Sequence, residues 1–352
     1  MKKKVLIKWI IGCGMLCMML LVLWKRTHIN YDEYSDKTSD MQHEEVEEIK
    51  FPDYINEKVS DGLVFDAEVV IGENFDPDNF YVSTARIMKP DEEKWKQFFG
   101  VDNTWDYNVY ETESRIGDKI EFQTYTDKQE NTLYLTSEEA LWAKQDMVFI
   151  YNVLDTNEYS PQNNGKLFSE KMDLSFESRQ DNLRSVLDKM QQIGIDAAEL
   201  EVHQEYDLNV DKLKEQEEKK IEAGDIEQSE KKESWSTSDE AYYYYLDETT
   251  QGLPVFSKRS VNDYSGDERS QIIVCAGNDG IRYLYMKWFF LFDIGVDKVK
   301  FAPIDNIKEC IKTKYGKTLD ENCITVKKWY WVSIHSQLIR RKMQLFRSGY
   351  VF

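Results

Sequence analysis

Histidine is nearly missing from this chain, with four in 352 residues. His28 and His43 follow the N-terminal segment, and His335 lies close to the C-terminus. Only His203 falls inside a plausible folded region, on an alternating stretch with Glu199 and Glu201. That leaves no basis for Ser-His-Asp or Cys-His nucleophiles or for a His-rich metal site. His203 is expected to be an ordinary strand residue. Cysteine is scarce too. Cys13, Cys17, Cys275, Cys310 and Cys323 form no CxxC pair, so neither a zinc site nor a disulfide framework is indicated. Basic charge is the third deficit. The chain has 45 Lys and Arg against 65 Asp and Glu, a net charge of −20. Nucleic acid is excluded as a partner, because phosphate binding needs a basic face.

The familiar loop motifs are incomplete. Gly277-Asn278-Asp279-Gly280 has no GK[ST] and opens no helix, so it is a hairpin turn and not a phosphate loop. Asp76-Pro77-Asp78-Asn79 suggests calcium, but no glycine or distal glutamate completes an EF-hand loop, and a plain turn explains it. A paired-carboxylate hydrolase needs no fixed spacing and stays open as a minor alternative. No catalytic residue, metal ligand or cofactor is assigned.

What is present locates the protein. Met1-Lys2-Lys3-Lys4 precedes an apolar run over residues 5–24, broken only by Lys8 and closed by Lys25-Arg26. About 20 residues cross the roughly 30 Å of a bilayer. Lys2, Lys3, Lys4 and Lys8 outweigh Lys25 and Arg26, which keeps the N-terminus cytoplasmic and places the body outside. No small-x-small cleavage site precedes Lys25, so an uncleaved single-pass anchor is expected. Ile10-Ile11-Gly12-Cys13 loosely fits a lipobox, and lipid anchoring at Cys13 is the alternative.

Residues 1–26 form the anchor, and residues 27–50 form an acidic tether with eight carboxylates. Residues 51–206 mix strands and helices. Leu63 to Ile71 and Phe80 to Met88 are strand candidates on either side of the Asn74–Asn79 turn. Pro90-Asp91-Glu92-Glu93 opens a helix that buries Trp95, Phe98 and Phe99 and stops at Gly100. Ile120 to Tyr125 and Leu133 to Thr136 suggest a hairpin, with a helix from Ser137 through Trp142 after it. Ser178 to Gly194 carries a helical apolar stripe. Residues 207–240 are a charged segment, a solvated helix over Val210 to Ala223 followed by a flexible linker over Asp225 to Asp239.

Residues 241–326 are strand-rich. Ala241 to Leu246, Gly252 to Phe256, Ile272 to Ala276, Ile281 to Tyr285 and Lys287 to Phe292 are strand candidates. Asn306 to Tyr315 is a helix with Ile307, Cys310 and Ile311 inward, and a strand from Cys323 to Val326 follows. The aromatic clusters Tyr242–Tyr245 and Trp288-Phe289-Phe290 should put alternate rings in a core and on a sheet surface. A ligand groove lined by them is the less favoured reading. The fold class is α+β: an N-terminal membrane helix, then mixed, mainly antiparallel sheets with a few packed helices.

The strand resembling Phe65-Asp66-Ala67-Glu68-Val69, the Asn74-Phe75-Asp76-Pro77 turn, Gly252-Leu253-Pro254-Val255-Phe256 and the Asn278-Asp279-Gly280 hairpin together resemble an uncharacterised Gram-positive envelope family, a lipoprotein-like domain of unknown function, over about residues 50–326. More distantly, residues 241–326 resemble the C-terminal module of YycH/YycI-type regulators and PepSY modules. The resemblance implies a non-catalytic, extracytoplasmic, membrane-tethered protein that modulates a membrane sensor or another envelope protein by contact. The alternative is an envelope protein binding wall glycan or peptide.

The tail departs from that pattern. Residues 327–352 hold six basic residues and no acidic one, whereas residues 27–326 hold 33 basic and 65 acidic residues, a net charge of −32. The family's later Leu-Gly-Tyr-like and Ile-Pro-Val-Trp-like elements are missing. Codons for Lys328 to Val332, read two bases on, encode Met-Val-Leu-Gly, and codons permitted for Leu345 to Gly349 read Ile-Pro-Val-Trp in that frame. A frameshift near residue 328 accounts for both, and a native basic tail is the alternative.

Overall fold

The computed structural model describes residues 52–60, 63–71, 74–113, 119–154, 168, 170–256, 272–299, 301, 304–315, 324–330 and 333–334. The anchor, the tether, Cys13, Cys17, Cys323, His28, His43 and His335 lie outside them. Among the described residues no helix is long and apolar enough to cross a membrane. The chain is mixed α and β, with mostly antiparallel pairing.

Three sheets form. β1 (Tyr54–Ser60) pairs antiparallel with β2 (Leu63–Val70), and β14 (Ile324–Tyr330) joins β2 in parallel. The β14 register slips between Val326 and Lys328 and then continues to Tyr330, beyond the expected strand end. β3 (Tyr81–Ile87) pairs with β13 (Phe290–Lys298). The largest sheet has 10 strands. Its path runs through β15 (Ser333–Ile334), β10 (Leu253–Phe256), β9 (Ala241–Thr250), β11 (Ile272–Gly277), β12 (Gly280–Lys287), β7 (Glu139–Ala143), β6 (Thr132–Leu135), β5 (Lys119–Thr126) and β4 (Asp106–Glu113). β8 (Leu200–Leu208) pairs with β9 off this path. Strands from either side of the charged 207–240 segment thus share one sheet, through the pairing of β7 with β12.

Helices cover both faces of its centre. α1 (Glu92–Phe99) and α3 (Arg179–Gln192) pack Trp95, Val186 and Met190 against Tyr242, Tyr244, Leu246 and Leu284. α2 (Met147–Val153) and α4 (Val210–Ala223) pack Met147, Ile150 and Leu213 against Tyr243, Tyr245 and Cys275. α5 (Ile304–Tyr315) lies by β1, where Lys308 and Lys312 each reach Glu57 at 3.0 Å. Local chemistry sets the helix ends. Asp91 accepts from Lys94 N at 3.2 Å to cap α1, and Gly100 ends it at φ 70°, a left-handed conformation that costs glycine little. Gly252 has a second constraint besides its φ of 79°, since a Cβ there would overlap the Asn74 carbonyl.

Several expectations need correction. The segment after Ser137 is not a helix but β7. The Thr136 hydroxyl does accept from Glu138 N at 3.1 Å and Glu139 N at 2.9 Å, as a helix cap would, but pairing with β6 and β12 then extends the chain. Asp225 to Asp239 is not a loose linker. Glu217 of α4 accepts from Lys232 N and Trp235 Nε1, both at 2.8 Å, and pins the segment. Lys287 to Phe292 is broken at Trp288, whose φ is 50°. Cys310 is exposed, while Ile307 and Ile311 face inward. All four tyrosines of Tyr242–Tyr245 are buried, because both faces of β9 are covered.

Candidate interaction site at the sheet edge

The residues singled out in the sequence do not converge. Asp76 accepts from Asp78 N at 2.9 Å and Asn79 Nδ2 at 2.6 Å, so its carboxylate is occupied by its own turn. Gly277–Gly280 closes the β11–β12 hairpin, where Asp279 takes Arg282 Nε at 2.7 Å. Cys275 is fully buried, and that burial pushes its thiol up to about 12. His203 lies at an irregularity in the β8–β9 register, its Nδ1 3.5 Å from an Asp247 carboxylate oxygen. Trp288 donates to Glu138 Oε2 at 2.9 Å. Among the described residues no group of His, Cys, Asp and Glu could hold a metal.

The buried carboxylates join elements together. Asp207 takes both arms of the Arg179 guanidinium, with Nε at 2.9 Å, and also accepts from Met172 N at 2.6 Å. Glu240 accepts from Ser175 Oγ at 2.6 Å and Asn209 Nδ2 at 3.1 Å. Glu248, wholly buried, receives Phe290 N on both oxygens at 3.0 and 3.1 Å. Burial holds its carboxyl well above the usual range, opposed by that N–H, and the nearby Glu199 charge adds to the rise.

The opposite end of the sheet differs. Among the described residues β4 is its terminal strand and pairs only with β5. Every residue from Asp106 to Thr112 is exposed. Tyr107 and Tyr110 are each 53% exposed and Val109 45%. The β4–β5 register runs from Asp106↔Thr126 to Glu113↔Lys119 without a slip. In such a strand every second residue turns its N–H and C=O away from the sheet. Tyr110 stacks on Phe122 at 4.8 Å with an interplanar angle of 6°, and Phe122 leans on Tyr134 at 5.5 Å. On the other face Tyr107 stacks on Tyr125 at 4.8 Å.

A cleft of about 580 Å³ opens where β4 begins. Its walls are Glu93, Lys96 and Gln97 of α1, the loop residues Val101, Asp102, Asn103 and Trp105, and Tyr107 with Tyr125. Tyr125 is held in place, donating to Glu92 Oε1 at 2.6 Å with Lys96 Nζ 5.5 Å above its ring. Burial, then the Glu92 carboxylate, raises the Tyr125 phenol. Lys96 is held above its ordinary value by its bond to Glu93 at 3.1 Å. Asp102 is held below its own by the Thr104 hydroxyl at 2.6 Å and the Thr104 N–H at 2.8 Å. The cleft therefore combines three aromatic rings with carboxylates and one lysine that is already paired. A second cleft of about 490 Å³ lies against the start of α1, lined in part by Asp91, Glu121, Gln123 and Thr136.

Sequence reading missed β4. The signal it carries is composition, the β-favouring Tyr107, Val109 and Tyr110 just after the Asp102-Asn103-Thr104 turn.

The fold defined by these elements is a helix-covered, mainly antiparallel sheet that ends at β4 among the described residues. No family model and no curated protein matches the chain. Among solved structures it is similar to an uncharacterized protein from Eubacterium rectale ATCC 33656, with a TM-score of 0.54 and 14% identity, covering 84% of this chain and 83% of that one. That likeness concerns the fold alone.

Proposed function

We propose that this chain is an extracytoplasmic, membrane-tethered, non-catalytic protein that modulates a membrane sensor or another envelope protein by direct contact. The observation that carries the reading is the β4 end of the sheet, with Tyr107, Val109 and Tyr110 exposed on a strand that pairs on one side only among the described residues. Contact surfaces draw their binding energy from exposed aromatic anchors of this kind. The basic-flanked apolar run at residues 5–24 supports the tether. The buried carboxylates support a non-catalytic role, because Asp207, Glu240 and Glu248 each bond to a neighbouring element and line neither cleft. Crosslinking in intact cells producing the full chain tests the reading. Recovery of one specific membrane protein supports it, and recovery of none overturns it. Orientation has its own test. A membrane-impermeant maleimide should label the exposed Cys310 of a Cys323→Ser chain in intact cells, and adding Cys310→Ser should remove that label.

A second reading rests on the cleft. Trp105, Tyr107 and Tyr125 beside Asp102 suit a wall glycan or peptide fragment, which would stack on the rings. Wall fragments that raise the melting temperature of the wild-type chain but not of Trp105→Ala would favour it.

A further inference from the structure

The geometry points to an extended, cationic segment of a partner protein that docks on the open edge of β4 as an added strand, with its first side chain in the neighbouring cleft. The inference rests on the contact reading above and names the mode and chemistry of that contact. Three observations carry it.

The first is the sparse protection. Edge strands are usually blunted by charged side chains, lysine above all, by proline, by a bulge or by very short length, and of these β4 has only the charge of its carboxylates. β4 has eight residues, no lysine and no proline, and its register with β5 has no slip. Among the described residues the other end of the same sheet is β15, which has two residues. An edge this long and regular offers main-chain donors and acceptors to an incoming strand, the mode known as β-augmentation.

The second is charge. β4 contains Asp106, Glu111 and Glu113 and no basic residue. The only cation paired with it across the strands among the described residues is Lys119, which meets Glu111 at 2.9 Å. A cationic strand complements this edge, and an acidic one is repelled. The same charges argue against a second copy of this chain. An antiparallel β4–β4 pair centred between Val109 and Tyr110 would set Asp106 opposite Glu113, placing like charges across the new ladder.

The third is the cleft. It adjoins Tyr107 at the start of the strand and offers ring faces together with Asp102 and Glu93. An arginine side chain from the incoming strand fits that chemistry, stacking on the rings while its guanidinium faces the carboxylates.

The test uses the full chain in detergent micelles and three short fluorescent peptides. One alternates Arg with Val around a central Tyr, the second replaces Arg by Glu, and the third keeps the Arg residues but is interrupted by Pro. The Arg peptide should bind at least ~10-fold tighter than either control. On binding, hydrogen exchange should slow at β4 amides. The double variant Asp106→Lys/Glu111→Lys should lose that affinity, and Val109→Lys serves as a second variant if the first does not fold. Equal binding of the Pro-interrupted peptide would reduce the contact to charge alone and overturn the proposal. Protection away from β4, or sedimentation showing a dimer that Val109→Lys dissociates, would overturn it as well. A membrane partner captured in cells through another surface sinks this inference and leaves the contact reading intact. Peptide binding with no partner captured in cells sinks the contact reading alone.

Discussion

β9 and β4 lie in the same sheet and are both rich in tyrosine, yet their rings are used in opposite ways. On β9, Tyr242 and Tyr244 face α3, and Tyr243 and Tyr245 face the α2–α4 side. The buried hydroxyls are tied down. Tyr242 accepts from Leu174 N at 2.8 Å and donates to Glu177 O at 2.9 Å, and Tyr244 donates to Asn182 Oδ1 at 3.1 Å. On β4, Tyr107 and Tyr110 stack on one neighbour each and leave half their surface in water. Tyrosine has an apolar body and a polar tip, so it serves a core or a contact surface equally well. The number of covered faces decides which. β9 has helices on both, whereas on β4 every residue from Asp106 to Thr112, on either face, is exposed.

The most damaging way to break the central region is to remove Arg179. Its guanidinium bridges α3 to Asp207 on β8, and Asp207 is 2% exposed. Arg179→Ala would strand that carboxylate without its cation, which typically costs about 3–5 kcal/mol. Urea unfolding measures it. A midpoint unchanged from wild type would show that the pair is not structural.

The same contrast explains which parts of the fold were legible in the sequence. Elements with one covered face carry period and punctuation together. The Asp91 cap, Trp95 and Gly100 announced α1, and the apolar stripe of Leu183, Val186 and Met190 announced α3. β7 was misread because Thr136 and the Ser137-Glu138-Glu139 triplet imitate a helix start, and only pairing with β6 and β12 overrides that local preference. The break at Trp288 was invisible because its positive φ depends on tertiary bonds to Glu138, made by the backbone N–H at 3.0 Å and by the indole at 2.9 Å. β4 was missed for a different reason. Period-2 patterning records burial of one face, and a strand bare on its free side, with polar Asn108, Glu111 and Thr112 among its rings, carries little of it. The candidate site was therefore the least legible part of the sheet.

A milder break at the centre is Tyr242→Phe. It leaves the buried Leu174 N–H without its acceptor and Glu177 O without its donor, at a cost of about 1–3 kcal/mol. The matching change at the edge, Tyr110→Phe, should fall within about 0.5 kcal/mol of wild type. Equal losses would erase the distinction between the two strands.

The interior also carries a pH signature. Glu248 has its folded-state carboxyl raised by burial, so the folded chain holds a proton that the unfolded chain releases. Stability from this group is full below the ordinary glutamate range and falls as pH rises toward the folded-state value. Glu248→Gln keeps an acceptor for Phe290 N without the ionisation. The variant should gain on wild type as pH rises from the ordinary glutamate range toward neutrality, as followed by thermal melting. A constant difference across that range would mean that folding does not shift the Glu248 carboxyl.

The smallest effect on stability is expected at the edge, and it sharpens the comparison most. Tyr110→Ala removes a ring that is 53% exposed and touches Phe122 on one side only. Exposed positions away from caps and cores usually shift stability by about 0.5 kcal/mol or less. Losing the stacked pair adds about 0.5–1.5 kcal/mol at most, and solvent on the open face reduces that. The melting temperature should therefore stay near wild type. If β4 is a contact strand, the same variant should still weaken binding of the cationic peptide, because a ring that supports little of the fold is then an anchor for a partner. A chain that keeps both its stability and its peptide affinity after Tyr110→Ala would show that this ring serves neither purpose, leaving Tyr107 and the adjoining cleft as the only aromatic anchor at that end of the sheet among the described residues.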